Sequence, residues 1–300
     1  MSDPLAIPER QTTPACRSTT ECLASPISIL ILTLNEECNL PACLESLKWC
    51  DDIVIFDSFS SDHTVEIARA AGARVIQRRF DNERDHRAAA LQVEFKNAWV
   101  YNPDADEITT SELREEMIRT VSDASRKEVA YRVRFKNMFM GRWLRHSSLY
   151  PTWVMRLFRP EKISFERTIN LRYVADGPEG RLQSHFEHYS FNKGLNAWFE
   201  KHNRYSWQEA EESLKSLAGG GFNWSQLFAK NPAARRRALK ELSFRLPCRP
   251  LLRFLYMYFW HRGFLDGWAG FTYCRLLTVY EYMIVLKMRE LRLRERGTAI

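Results

Sequence analysis

The chain has 300 residues, 45% of them hydrophobic and 27% charged. That balance excludes wholesale disorder and a fibre, and it leaves room for one large α/β domain with an appendage. A net charge of +7 and a pI near 9.1 suit an anionic partner such as a nucleotide, a phosphorylated substrate or an anionic membrane surface. Seven cysteines without a CxxC pair read as reduced thiols of a cytoplasmic protein, with zinc not expected.

Residues 1–25 carry Pro4, Pro8 and Pro14 among Ser and Thr. They lack the apolar stretch of a secretory signal and read as a flexible leader. "ISILILTLNEE" (27–37) is a continuous apolar run ending in polar residues, the pattern of a strand buried on both faces. "NLPACLESLKW" follows as a helix with Leu40, Cys43, Leu44 and Leu47 on one face. A second strand, Ile53 to Phe56, precedes a polar turn and a helix through "TVEIARAAG", with Gly72 at its expected C-terminal stop. "ARVIQRRF" reads as a third strand and "DHRAAALQVEF" as a helix. "AWVYNPDADE" reads as a fourth strand that runs into Asp104, Asp106 and Glu107.

This alternation predicts a mainly parallel sheet, whose ligands sit at the carboxyl ends of its strands. Thr33, Asn35, Glu36, Asp57, Ser58, Asp104 and Asp106 all fall at such ends. "VAYRVRFKN" (129–137) alternates as a half-exposed strand. "TWVMRLFRP" is another, and together they predict a smaller mixed or antiparallel extension over the sheet's edge. The chain reads as helical from Asn192, with a glycine break at 219–221. Residues 245–291 are crowded with aromatic and basic side chains. Arg253, His261, Arg262, Asp266, Arg275 and Glu281 oppose a bilayer crossing, and interfacial helices or a helical cap both fit. The organisation expected is a leader at 1–25, a catalytic α/β domain at 26–190 and a helical region at 191–300.

D-x-D at a strand end can hold Mg²⁺ or Mn²⁺ while a diphosphate completes the coordination shell. In a regular strand positions 104 and 106 share a face, and Glu107 fits a helix start. A solvated turn explains the same acids without a ligand.

The segment 27–78 followed by "WVYNPDADE" resembles the nucleotide-sugar half of the family 2 glycosyltransferases. "HYSFNKG", "KHNRYS" and "RGFLDGWAGF" resemble that family's lipopolysaccharide-core branch. The resemblance implies a GT-A fold (Rossmann-like, mainly parallel sheet) with a C-terminal helical extension. It also implies a nucleoside-diphosphate sugar donor, a divalent metal (Mg²⁺ or Mn²⁺) and inverting hexosyl transfer to a cell-envelope glycan or glycolipid. Carried over by position, Thr33, Asn35 and Glu36 line the nucleotide pocket and Asp57 meets base or ribose. Arg87 faces the nucleotide, Asp104 meets ribose or the metal, and Asp106 is the principal metal ligand.

The chain departs from the family where relatives carry a His-Glu pair, because Asn170 and Leu171 stand there. An inverting transfer needs a base for the acceptor hydroxyl. Glu166, then Asp176, are the candidates, with Glu187 and His188 behind them, and His188 with Lys193 also suits the acceptor or phosphate side. The expected location is cytoplasmic, peripheral on the inner face of the cell membrane. One alternative is a catalytically degenerate transferase serving as a nucleotide- or membrane-binding module. A nucleotidyltransferase is disfavoured because "TLNEECN" has no glycine, and no nucleic-acid recognition motif is present.

Overall fold

The structure is a computed structural model that describes residues 25–166, 171–218, 224–229 and 248–298, with single positions 231, 235, 238 and 242 between the last two blocks. The leader through residue 24, Asn170 and the glycine break at 219–221 lie outside the described residues.

Four short parallel strands form the donor half. They are β1 (Ile27–Thr33), β2 (Ile53–Asp57), β3 (Arg74–Gln77) and β4 (Trp99–Tyr101), in the order β3-β2-β1-β4. The helices α1 (Leu40–Ser46), α2 (Thr64–Ala70) and α3 (Glu83–Ala90) connect them. β1 is buried along nearly its whole length because the sheet is covered on both faces. Ile27, Ile29 and Ile31 join the core beneath α1 and α2, whereas Leu30 points into a second core with Val54, Phe56 and Val100. Leu40, Cys43, Leu44 and Leu47 all enter the first core, as their spacing predicts. Gly72 ends α2 at φ 79°, a conformation that favours glycine.

The second half departs from the expected edge extension. β5 (Glu107–Thr109), β6 (Ala130–Phe139), β8 (Trp153–Phe158) and β11 (Glu179–His188) continue the same sheet beyond β4, in the order β4-β8-β6-β11-β5. β7 (Arg142–Trp143) pairs with β6. β8 is antiparallel to β4 and β6, and β5 is antiparallel to β11, while β11 runs parallel to β6. β4 is therefore interior, and the loop after it is enclosed by strands that come later in the chain. β9 (Ile163–Glu166) and β10 (Arg172–Ala175) form a separate hairpin. Phe165 is buried in the second core, and Leu171 and Tyr173 pack against it. Leu171 is thus a partly buried packing residue.

α4 (Ser111–Ser122) starts behind Thr110, whose hydroxyl accepts from the Leu113 amide. The C-terminal region comprises α5 (Gly194–Ala218), α6 (Arg249–Leu255) and α7 (Gly267–Glu295). α5 and α7 meet through Ala210, Ile284 and Met288, and Lys287 donates to Ser206 Oγ at 2.8 Å. Among the described residues no helix is long and apolar enough to cross a membrane. The five described cysteines are free thiols.

Candidate active site

The strand order reverses between β2-β1 and β1-β4, which opens a crevice at the carboxyl ends of β1 and β4. On the β1 side the turn is held by side chains. Thr33 Oγ1 donates to Asp57 Oδ1 at 3.0 Å. Asp57 Oδ2 accepts from the Ser60 amide at 2.9 Å and from Gln77 Nε2 at 3.0 Å. Asp57 is fully buried. Burial alone would raise its carboxyl, but the bonds from Ser60, Gln77 and Thr33 hold it below the ordinary value. Asp57 thus ties the ends of β1, β2 and β3 together.

Asn35 takes φ 54°, which asparagine tolerates. Its Oδ1 accepts from the Ser61 amide at 2.8 Å, and its own amide donates to Ser60 Oγ at 2.9 Å. Glu36 accepts from Asn39 and pairs with Lys193 at 2.6 Å, tying the end of the sheet domain back over the first turn. Ser58 completes this side through His86. Arg78 Nη1 lies 3.2 Å from His86 Nδ1, and His86 Nε2 lies 3.0 Å from Ser58 Oγ. The guanidinium can only donate, so Nδ1 accepts and Nε2 carries the proton toward Ser58. Burial and the Arg78 charge lower the His86 pKa, in keeping with that neutral ring.

On the β4 side the regular strand stops at Tyr101, so Asp104 and Asp106 lie in a turn and do not share a strand face. Asp104 faces two guanidiniums, those of Arg156 and, at 3.8 Å, Arg87. Burial pushes its carboxyl up, but Arg156 and Arg87 prevail and bring it to about 2. Asp106 Oδ2 lies 3.3 Å from His188 Nε2 at the end of β11. The Tyr189 amide donates to the Asp106 carbonyl at 2.8 Å, which fixes this approach. Burial lowers the His188 pKa, but the Asp106 bond and charge outweigh it and raise it overall.

Glu107 does not belong to a helix start. It lies in β5, 2% exposed, and pairs with Arg156. The register opposes it to His188, which fixes it in the sheet. Burial pushes its carboxyl up to about 7 despite Arg156. Arg156, from β8, thus bridges Asp104 and Glu107 and lies over Phe186. Arg156 went unremarked in the sequence because "VMRLF" reads as an ordinary strand. The one signal was an arginine inside an otherwise apolar run.

A third ligament joins the halves. Asn102, 1% exposed, donates to the Leu30 carbonyl at 2.7 Å and accepts from Tyr173 Oη at 3.1 Å. Arg87 donates to the same Tyr173 oxygen at 2.8 Å and to Glu83 at 2.6 Å. The structure therefore brings Arg87, Asp104 and Asp106 into one crevice with Asn102 and Tyr173. It does not bring Glu166 or Asp176 there. Glu166 opposes Arg172 in the hairpin register and pairs with it at 3.6 Å, on the face opposite Tyr173. Asp176 pairs with Lys162 at 3.2 Å and is largely exposed.

Among the described residues no group of three or more His, Cys, Asp or Glu is arranged to hold a metal ion. Asp106 and His188 do offer a carboxylate oxygen and an imidazole nitrogen side by side, both part-exposed. That pair fits a hard divalent cation whose remaining positions go to water or phosphate oxygens. Asp104 fits such an ion less directly, since arginines already face both of its oxygens.

The switch point of this α/β sheet thus carries carboxylates and arginines that face each other. Residues 28–189 match the model of glycosyl transferase family 2, and the chain belongs to that family. It is 27% identical over 277 residues to the lipopolysaccharide core biosynthesis glycosyltransferase LpsC of Rhizobium meliloti, covering 88% of this chain and 92% of that protein. It is 26% identical over 275 residues to an uncharacterized glycosyltransferase of Rickettsia typhi, covering 90% and 89%. Among solved structures it is similar to residues 1–349 of S. aureus TarS, at 14% identity and TM-score 0.40 over 91% of this chain and 92% of that one. It is also similar to glucosyl-3-phosphoglycerate synthase from Mycobacterium tuberculosis in complex with Mn²⁺, UDP-glucose and phosphoglyceric acid. That match has 20% identity and TM-score 0.32, over 37% and 43% of the two chains. The chain is a glycosyltransferase of mixed α/β, GT-A architecture with a helical C-terminal region.

Proposed function

We propose that the protein moves a hexosyl unit, with inversion, from a nucleoside-diphosphate sugar to a cell-envelope glycan or glycolipid of the lipopolysaccharide-core type, with a divalent cation and at a membrane surface. The observation that carries this reading is the division of labour in the loop after β4. Arg87 and Arg156 face Asp104, while Asp106 is left beside His188.

Thr33, Asn35 and Glu36 form the wall of the nucleotide pocket, with Ser58 offering a hydroxyl that His86 orients. Arg87 is held by Tyr173 and Glu83 and gives the crevice a fixed positive charge for the nucleotide side. Asp106 and His188 are the residues that would hold Mg²⁺ or Mn²⁺, with Asp104 behind them. A bound cation there would neutralise charge developing on the departing diphosphate. Glu166 and Asp176 stand outside the crevice, paired with Arg172 and Lys162, so neither is assigned the acceptor's proton.

The test is a panel of nucleotide sugars incubated with the protein and Mn²⁺ and scored for nucleotide release. One donor should stand at least tenfold above the rest. Equal, background-level release from every donor, with nucleoside diphosphate still bound by calorimetry, would favour the degenerate binding module instead.

A further inference from the structure

We propose that residues 251–268 form a docking surface for an anionic lipid bilayer, seated at the boundary between headgroups and acyl chains. This rests on the membrane-surface reading above and gives it a location.

The segment is apolar on both sides. Its inner side is packed, with Met257 and Gly263 buried. Its outer side exposes Leu252, Leu255, Phe259, Trp260, Leu265 and Trp268, with Trp260 and Trp268 at 79% and 73%. Soluble monomers rarely expose so many large apolar side chains in one stretch. A segment that is apolar all round needs a second apolar environment on its free side.

Charge selects which environment. The only acid among residues 249–275 is Asp266, and it is withdrawn from the surface. It accepts from the Ser147 amide and hydroxyl, both at 2.7 Å, and from the His146 amide at 2.9 Å. Arg262 and Arg275 remain exposed beside the aromatic side chains. Indole rings interleaved with arginines and stripped of accessible carboxylate match an anionic headgroup layer. A protein partner with the usual mixture of charges would be matched less well.

The surface is rigid and connected to the catalytic crevice. A Cβ on Gly270 would meet the Gly263 carbonyl at 2.4 Å, so the turn at 263–266 and the start of α7 are locked together. Ala269 packs in one cluster with Phe139 and Leu144, against Phe191 and Tyr273. Phe139 and Phe191 in turn line a cavity of about 360 Å³ with Met138, Met140, Tyr189 and Leu195. Tyr189 follows His188 directly, and its amide holds the Asp106 loop. The docking surface therefore backs a largely apolar cavity that adjoins the catalytic loop, which suits an acceptor that stays anchored in lipid.

The experiment is flotation of the full chain with extruded vesicles of phosphatidylcholine alone or phosphatidylcholine:phosphatidylglycerol. Trp260→Glu/Trp268→Glu and Arg262→Gln/Arg275→Gln double variants are run alongside, with melting temperatures recorded. The wild type should float with the anionic vesicles and not the neutral ones. The tryptophan variant should lose at least tenfold in bound fraction, and the arginine variant several-fold. All should melt within a few degrees of wild type, because the altered side chains are exposed. Failure of the wild type to float, or equal flotation of the tryptophan variant, overturns the proposal. So does concentration-dependent dimerisation that the tryptophan variant abolishes without any vesicle binding, since the surface would then join two copies. Nucleotide release measured without vesicles keeps the two readings apart. If it is absent while flotation follows the expected pattern, the transferase reading fails and the docking surface stands.

Discussion

Replacing Arg156 with Met is the most informative perturbation of the crevice. Arg156 is 7% exposed and bridges Asp104 and Glu107. Methionine keeps much of the volume over Phe186 but removes the charge. Asp104 has 40% of its side chain in solvent and can rehydrate, so little of the cost falls there. Glu107 cannot rehydrate, and at about pH 8.5, above its value of about 7, stranding one member of a buried pair costs about 3–5 kcal/mol. Unfolding entropy of about 2.1 cal/mol/K per residue, over the 251 described residues, makes that a fall of about 6–9 °C in Tm. A second change, Glu107→Gln, removes the stranded charge and should recover at least half of the loss. Differential scanning fluorimetry on the wild type, Arg156→Met and the double variant reads this directly. An Arg156→Met protein that melts within 1–2 °C of wild type, or a double variant no better than the single, would refute the bridge as the loop's anchor.

Two further outcomes follow from the same geometry. Burial lifts the Glu107 carboxyl to about 7, so the folded state holds a proton that the unfolded chain releases near the ordinary value of about 4.3. Stability should therefore decline as pH rises from about 4.5 to 7, and Glu107→Gln should flatten that part of the Tm–pH curve. An unchanged slope would mean that Glu107 does not carry the titration. Glu166→Gln and Asp176→Asn should leave kcat within about threefold of wild type, because both side chains stand outside the crevice. A loss of about 100-fold in either would place the acceptor's base on the hairpin.

The donor half was legible in the sequence because its signals are local. Continuous apolar strands, helix faces such as Leu40–Leu47 and the Gly72 stop are all set within a few residues. Thr33, Asn35, Asp57, Asp104 and Asp106 could be singled out because strand ends in such sheets are where ligands sit. The second half was less legible because its pairings are non-local. Nothing in "VMRLF" announces that β8 lies beside β4, so neither Arg156 nor the interior position of the D-x-D loop could be read from it. Glu107 was misplaced for the same reason. An acid before "ITTSEL" looks like a helix entry until β11 is paired against it. Tyr173 and Asn102 meet across 71 residues of chain, a separation that local periodicity does not encode.

In the proposed reaction Asp106, beside His188, holds the cation on which donor cleavage depends. The most direct measurement is nucleotide release from the preferred nucleotide sugar by wild type and Asp106→Ala, each with Mn²⁺ and with chelator. Metal-dependent release by the wild type is expected, and none by Asp106→Ala at an unchanged melting temperature. Wild-type turnover by Asp106→Ala in the presence of chelator would contradict it.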